Sequence, residues 1–318
     1  MAHELAFVQG KASIAYVGEK PWHGLGQELT ENASLDVWRT ESGMDWEIKS
    51  SPVEYKIDGM EESVDYPAKR ILYRSDTGAP LSIVSKDYKE VHPGEVLDFF
   101  KDLVELQGMK LSTAGVLFGG RRFWALADTN HACDVLGNDR VKGMLLLTTS
   151  CDGSIATTAQ FTSVRVVCNN TLALSLNTTG NRTSISHRSV FNPLALKDQL
   201  GLIDKRWETF RQTINDMTKI KMSDKDTANF VFDLIVPDAQ PEATKTMEKE
   251  VSAILNTIRN GMGTNKAYGT LWGVLNGITE HVDHKGRGRS ADTKLWNTWY
   301  GIGAKVKEEA FTKALELV

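Results

Sequence analysis

Cysteine is scarce in this chain of 318 residues: Cys133, Cys151 and Cys168 are odd in number, widely spaced and form no CxxC pair. That argues against a disulfide framework and a zinc ribbon, and the expectation is three reduced, partly buried thiols. Long apolar runs are also missing. No stretch approaches the ~18 apolar residues of a membrane span, and the opening MAHELAFVQGKASIAYVGEK lacks the basic start and compact apolar core of a signal peptide. A cytoplasmic protein with no membrane partner is expected. Nucleotide-binding and nucleophile signatures are absent as well. GMGTNKAYGT has the wrong glycine-to-lysine spacing for a P-loop and no strand leading into it, and no GxSxG elbow or kinase signature occurs. No cofactor is expected, and nothing in the sequence requires an enzyme.

What is present is a globular composition, 41% hydrophobic with a net charge of −4, enough to fill a core. The charge is unevenly placed. From Glu28 to Asp65 there are eleven acidic residues against Arg39, Lys49 and Lys56, whereas Gly153 to Lys197 holds no Asp or Glu but carries Arg165, Arg182, His187, Arg188 and Lys197. A shorter acid-free window, Leu106 to Ala127, contains Lys110, Arg121 and Arg122. The first segment would repel a phosphate backbone. The other two are an electrostatic footprint for an anionic partner, unless they are merely charge-poor strands.

The first half reads as strands. WEIKSSPVEYKI, AKRILYRS and LSIVS are short, β-rich and partly alternating, broken by turn residues. HPGEVLDFFKDLVELQG switches to helical spacing, with Val96, Phe99, Phe100, Leu103 and Leu106 on one side and Gly108 as a stop. Strands resume at KLSTAGVLFGGRRFWALAD, where Gly119 and Gly120 suit a tight hairpin, and continue through VKGMLLLTTS and SIATTAQFTSVRVV around a turn at Cys151 to Gly153. From about Leu194 the pattern is helical, with a Ser223/Asp226 capping pair. The expected fold class is α+β: a mainly antiparallel sheet with an inserted helix, followed by a helical C-terminal part. The expected boundary divides an α+β core, 1–192, from a helical region, 193–318, packed on it.

Two chemistries compete for NGITEHVDHKGRGRS, Asn276 to Ser290. Helical spacing puts His281 and His284 at i, i+3 and Glu280 and His284 at i, i+4, so Glu280, His281, Asp283 and His284 could serve a metal-dependent hydrolase or nucleotide-processing enzyme. The zincin pattern, however, needs His at i and i+4. The same side chains also suit capping and ion pairing at a helix C-terminus. The glycine-spaced cations Lys285, Arg287 and Arg289 read as a phosphate clamp or as a solvated basic loop.

Basic and aromatic residues interleave in GGRRFWAL, SHRSVF and DKRWETF, the pattern by which cations hold phosphates and aromatic faces receive bases. Phe123 and Trp124 alternate across a strand, so one is expected in the core and Trp124 is taken as the exposed ring; Trp207, at helical spacing, is expected in the core. The candidate nucleic-acid-binding set is Arg121, Arg122, Trp124, Arg165, Arg182, His187, Arg188, Lys285, Arg287 and Arg289.

MAHEL, KPWHGLG (20–26), VSKDYKEVHPGE (ending at Glu95), RVVCNNTLALSL (165–176), HRS (187–189) and LNGITEHVDH with Arg289 together resemble the phage/plasmid-like proteins built on domain of unknown function 932. The resemblance runs almost end to end and implies a setting in mobile-element DNA metabolism. The YKEVHP passage from strand to helix, followed by a hairpin sheet, is also similar to single-strand annealing recombinases of the Redβ, Erf and Sak type, an analogy at the level of fold. It implies a homo-oligomeric ring or filament that binds single-stranded DNA and anneals it without ATP.

Overall fold

The computed structural model describes residues 7–8, 11–18, 26–137, 139–165, 170–173, 182–190, 192, 203–236, 243–262, 264–286 and 288–318. In chain order the strands are β1 Phe7–Val8, β2 Lys11–Ala12, β3 Ile14–Val17, β4 Gln27–Leu29, β5 Ile48–Lys56, β6 Ser63–Arg74, β7 Pro80–Ser85, β8 Lys110–Leu117, β9 Arg122–Val135, β10 Asp139–Ser150, β11 Thr157–Arg165, β12 Asn170–Ala173 and β13 Arg182–Ile185. The helices are α1 Leu35–Glu41, α2 Pro93–Gln107, α3 Ile203–Lys219, α4 Asp224–Ile235, α5 Lys245–Asn260, α6 Thr264–Ala267, α7 Leu271–Glu280, α8 Ala291–Trp299 and α9 Ile302–Leu315. The main sheet runs β12-β11-β10-β9-β8-β3-β4, with β13 paired to β11. The pairing of β3 with β4 is parallel, and those of β3–β8, β8–β9, β11–β12 and β11–β13 are antiparallel. The fold class is α+β, largely antiparallel with a helical C-terminal region.

Two compact units interleave along the chain. One holds 1–129, 145–160 and 182–201; the other holds 130–144, 161–181 and 202–318. In the first, the HPGE motif works as its chemistry dictates. His92 caps α2 in a reciprocal box with Glu95, Pro93 sits at N1 where its missing N–H costs nothing, and Gly108 closes the helix at φ 66°. Val96, Phe99, Phe100 and Leu103 of its apolar face are buried. Gly119 and Gly120, at φ 69° and 108°, turn β8 into β9, with Leu117 opposite Arg122. Phe123 packs edge-on against Trp46 at 5.5 Å, while Trp124 lies against Gly115, where a Cβ would come within 3.2 Å of its ring. Both rings are buried, so the expectation of one exposed aromatic is corrected: this part of β9 is covered on both faces.

The unit also carries a three-stranded sheet, β5-β6-β7. Its base is in the core through Ile48, Leu72, Leu81 and Val84. Beyond a bulge between Pro52 and Glu54, the β5–β6 hairpin is almost wholly exposed on both faces.

The second unit is built on helices. Its aromatic core joins Phe161, Trp207, Phe210 and Phe311, with Trp207 5.7 Å from Phe210, as its helical spacing predicts. Ser223 and Asp226 form the predicted capping box of α4. α7 is buried along its whole length and runs into a single π-helical turn, His281–Lys285. Gly277 lets α7 approach α5 so closely that a Cβ there would lie 2.4 Å from Ile258. Among the described residues no helix is long and apolar enough to cross a membrane.

Candidate nucleic-acid interface

Three segments that the sequence keeps apart meet in the first unit. The chain between β7 and α2, the turn after β10 and the HRS segment after β13 are tied together by His187. Its Nδ1 lies 3.0 Å from the Lys89 carbonyl oxygen and its Nε2 3.0 Å from that of Ile155, while Lys89 N–H donates to the His187 carbonyl at 2.7 Å. The imidazole stacks on Tyr88 at 4.7 Å with an interplanar angle of 24°. Tyr88 in turn donates its hydroxyl to the Ser150 carbonyl at 2.9 Å. Burial, reinforced by Cys151, raises the phenol above its ordinary range, so it acts as a neutral donor.

The same turn holds the glycine hairpin of β8 and β9. Cys151 N–H donates to the Arg121 carbonyl at 2.9 Å, and the buried thiol is pushed up to about 12, mainly by loss of solvent. Arg122 donates Nε to Ser154 Oγ at 2.9 Å, lies over the Phe118 ring at 4.3 Å and stands 3.9 Å from Asp152. Arg121 is exposed, its Nε bonded to the Phe118 carbonyl.

Around this frame Lys86, Lys89, Arg121 and Arg188 are exposed. Among the described residues none of the four enters an ion pair. A cleft of about 400 Å³ is lined by Arg70, Lys86, Tyr88, Lys89, Glu90, His92, Glu95 and Val190. Arg70 and Glu90 neutralise one another in a two-pronged bridge at 2.5 and 3.2 Å, and Glu95, whose carboxylate accepts from His92 N–H at 2.6 Å, offsets one of the two lysines, so the lining keeps a small positive excess, with exposed Asp87 as the nearby acid in sequence. A second cleft, about 670 Å³, mixes Arg39 and Lys49 with Glu47 and Asp98 and so has no single sign to offer an anion.

The structure therefore gathers Arg121, Arg122, His187 and Arg188, but in different roles. Arg121 and Arg188 face solvent, Arg122 is half-buried and His187 is a brace only 8% exposed. Trp124, 2% exposed, cannot receive a base, which corrects its assignment as a stacking platform. Sequence reasoning missed Lys86 and Lys89 as site residues, although the KDYKEVHP motif contains them on either side of the stacked tyrosine. Arg165 lies opposite Asn170 and Arg182 opposite Gln160 in the strand registers. The side chains of Arg165 and Arg182, and the whole of Arg287, lie outside the described residues.

In the second unit Lys285 is exposed but belongs to the π-helical turn rather than to a loop, and its Nζ donates to Thr257 Oγ1 at 2.9 Å. Arg289 is exposed. The metal reading of Glu280, His281, Asp283 and His284 is not supported by their geometry. Glu280 accepts from Met262 N–H at 3.0 Å, His281 Nε2 meets Glu250 at 2.8 Å, and Asp283 binds Lys307 at 2.6 Å. His284 offers its backbone carbonyl to Lys294 at 2.6 Å. The side chains diverge because the chain passes through a π-helical turn, which breaks the α-helical spacing on which the sequence argument depends. Among the described residues no group of three or more His, Cys, Asp or Glu side chains is placed to hold a metal ion.

No curated protein and no solved structure matches the chain. The family model described as domain of unknown function (DUF932) matches residues 80–299, a span that contains the Tyr88 and His187 frame, the glycine hairpin and the π-helical turn. The match covers more than half of the chain, and the protein belongs to the DUF932 family.

Proposed function

We propose that this protein binds single-stranded DNA through the cations around the Tyr88–His187 stack and anneals complementary strands without ATP, in phage or mobile-element recombination. The observation that carries the reading is the placement of Lys86, Lys89, Arg121 and Arg188 around one braced turn of the first unit. Such a surface contacts phosphates. Burial of Trp124 removes the expected stacking platform, so the backbone is held while bases stay open to a complementary strand. No recognition-helix motif is found in the sequence, which favours single strands over duplex and little sequence preference. The resemblance to phage/plasmid-like proteins and to Redβ, Erf and Sak annealing proteins supports the same reading and suggests side-by-side assembly of protomers along the strand.

The test is salt-dependent oligonucleotide binding. For a single strand, the slope of log affinity against log salt flattens by roughly 0.7 for every phosphate that the protein ceases to neutralise. Changing Lys86, Lys89, Arg121 and Arg188 together to Gln should flatten it by up to about 2.8 units, one step for each of the four cations. Folding should barely change, since exposed substitutions usually stay within about half a kcal/mol. An unchanged slope, or duplex bound more tightly than single strand, overturns the assignment.

A further inference from the structure

The outer β5–β6 hairpin is an exposed feature that the proposed DNA contact leaves unused. Tyr55 pairs directly with Val64 across the hairpin, Tyr66 falls on the same face by the two-residue period of a strand, and Ile57 follows just past the end of β5. Tyr55, Ile57 and Tyr66 are 48%, 45% and 47% exposed, and Met60 at the tip is exposed as well. A two-stranded ribbon is marginal in water without a surface to cover it. The opposite face carries Glu54 directly paired with Asp65 and Lys56 paired with Ser63, whose Oγ donates to Glu54, and from Glu54 to Asp65 the hairpin as a whole holds five acids and one base. Like charges in direct register destabilise a ribbon, and a cationic neighbour would relieve them.

We infer that this hairpin docks onto a basic surface of a second copy of the chain. Charge complementarity selects that occupant. The segment Glu28–Asp65 holds eleven of the 41 acids and three of the 37 bases, which leaves thirty acids against thirty-four bases for the rest of the chain. Nucleic acid is repelled by the hairpin. A symmetric contact of hairpin with hairpin, even through the apolar faces, would bring together two ribbons that each hold five acids and one base. The remaining contact is heterologous, hairpin of one protomer on the basic surface of the next, and heterologous contacts propagate into rings or filaments. The apolar face supplies the aromatic anchors that such contacts rely on. This deepens the assembly part of the proposed function and rests on it, but not on DNA binding.

The experiment is sedimentation velocity of the full chain over a concentration series at low and high salt, with two variants, Tyr55→Ser/Tyr66→Ser and Glu54→Lys/Asp65→Lys. Wild type is expected to assemble, less at high salt, and each variant to associate roughly tenfold or more weakly, the usual effect of removing an interface anchor. A variant keeps a basic surface but lacks a working hairpin, so adding it to wild type should cap growing assemblies and lower their mean size. Circular dichroism checks folding, and the charge-reversal variant decides if the tyrosine variant misfolds. A wild type that stays monomeric throughout, variants that assemble like wild type, or mixtures whose size is unaffected would each overturn the inference. Binding of an oligonucleotide short enough for one protomer is read in parallel. Failure of that binding with assembly intact removes the DNA reading and leaves the hairpin contact standing.

Discussion

Changing Lys307 to Met should destabilise the second unit far more than any exposed lysine would. The ammonium and the Asp283 carboxylate are 2.6 Å apart, with side chains 4% and 2% exposed. Burial pushes the Lys307 ammonium below its ordinary pKa range, and Asp283 opposes that shift. Removing one member of such a pair strands the other in a medium that cannot solvate it, at a cost of about 3–5 kcal/mol. The lower end applies here, because Lys294 also feels the Asp283 charge. At roughly 2–4 °C per kcal/mol for a unit of this size, the loss is on the order of 10 °C in Tm. The double change Asp283→Leu/Lys307→Met removes both charges and should recover most of it, since buried pairs are often replaceable by apolar residues. Lys285→Met, which loses one hydrogen bond from an exposed side chain, should cost about 1 kcal/mol or less. Chemical denaturation of the three variants checks the ordering. A Lys307→Met loss within about 1 kcal/mol, or a double variant worse than the single, would refute the view that the LNGITEHVDH motif is a structural network.

Three further outcomes follow from the geometry. Burial raises the Glu90 carboxyl, but the Arg70 hydrogen bond, its own backbone amide and the Arg70 charge outweigh it and hold the pKa below the ordinary 4.5. A depressed folded pKa contributes stability above the unfolded value that fades as pH falls through the folded one, so Arg70→Met should shift acid unfolding, followed by circular dichroism, to higher pH; an unmoved acid transition would show that the bridge does not matter. Cys151 is fully buried with its thiol pushed up to about 12, so a thiol reagent at mildly alkaline pH should modify it only as fast as the protein opens, and rapid native labelling identified by mass spectrometry would contradict this. Gly277→Ala drives a Cβ into Ile258 and should cost about 1–3 kcal/mol in denaturant unfolding, while a neutral result would mean the α5–α7 approach can relax.

Local signals carried most of the fold that was legible. The limits of α2 follow from His92, Pro93, Glu95 and Gly108 because cap, box and stop are all made within one helix, and the same holds for Ser223 and Asp226 in α4. What could not be read depended on what covers an element. The stretch VEYKI has the same partial alternation as a half-buried strand, yet past the Pro52 bulge no layer of the described residues covers the hairpin. Phe123 and Trp124 point to opposite sides of β9, and period alone cannot tell that Trp46 closes one side and that the other ring is also buried.

The candidate site shows the same division at shorter range. Absence of acid from Gly153 to Lys197 drew attention to Arg188, but the cations proposed to share its surface, Lys86 and Lys89, come from a segment about a hundred residues earlier and are tied to it through His187, whose ring reaches two carbonyls. Histidine beside arginine in HRS reads as two ligand contacts; in the fold the imidazole sets the backbone and the guanidinium is displayed. The reverse happens at TEHVDHK, where spacing suggests convergence and the π-helical turn disperses the side chains to Met262, Glu250 and Lys307. A helical ligand motif is only as good as the helix that carries it. One turn with i→i+5 bonding converts a metal-like cluster into three separate structural contacts.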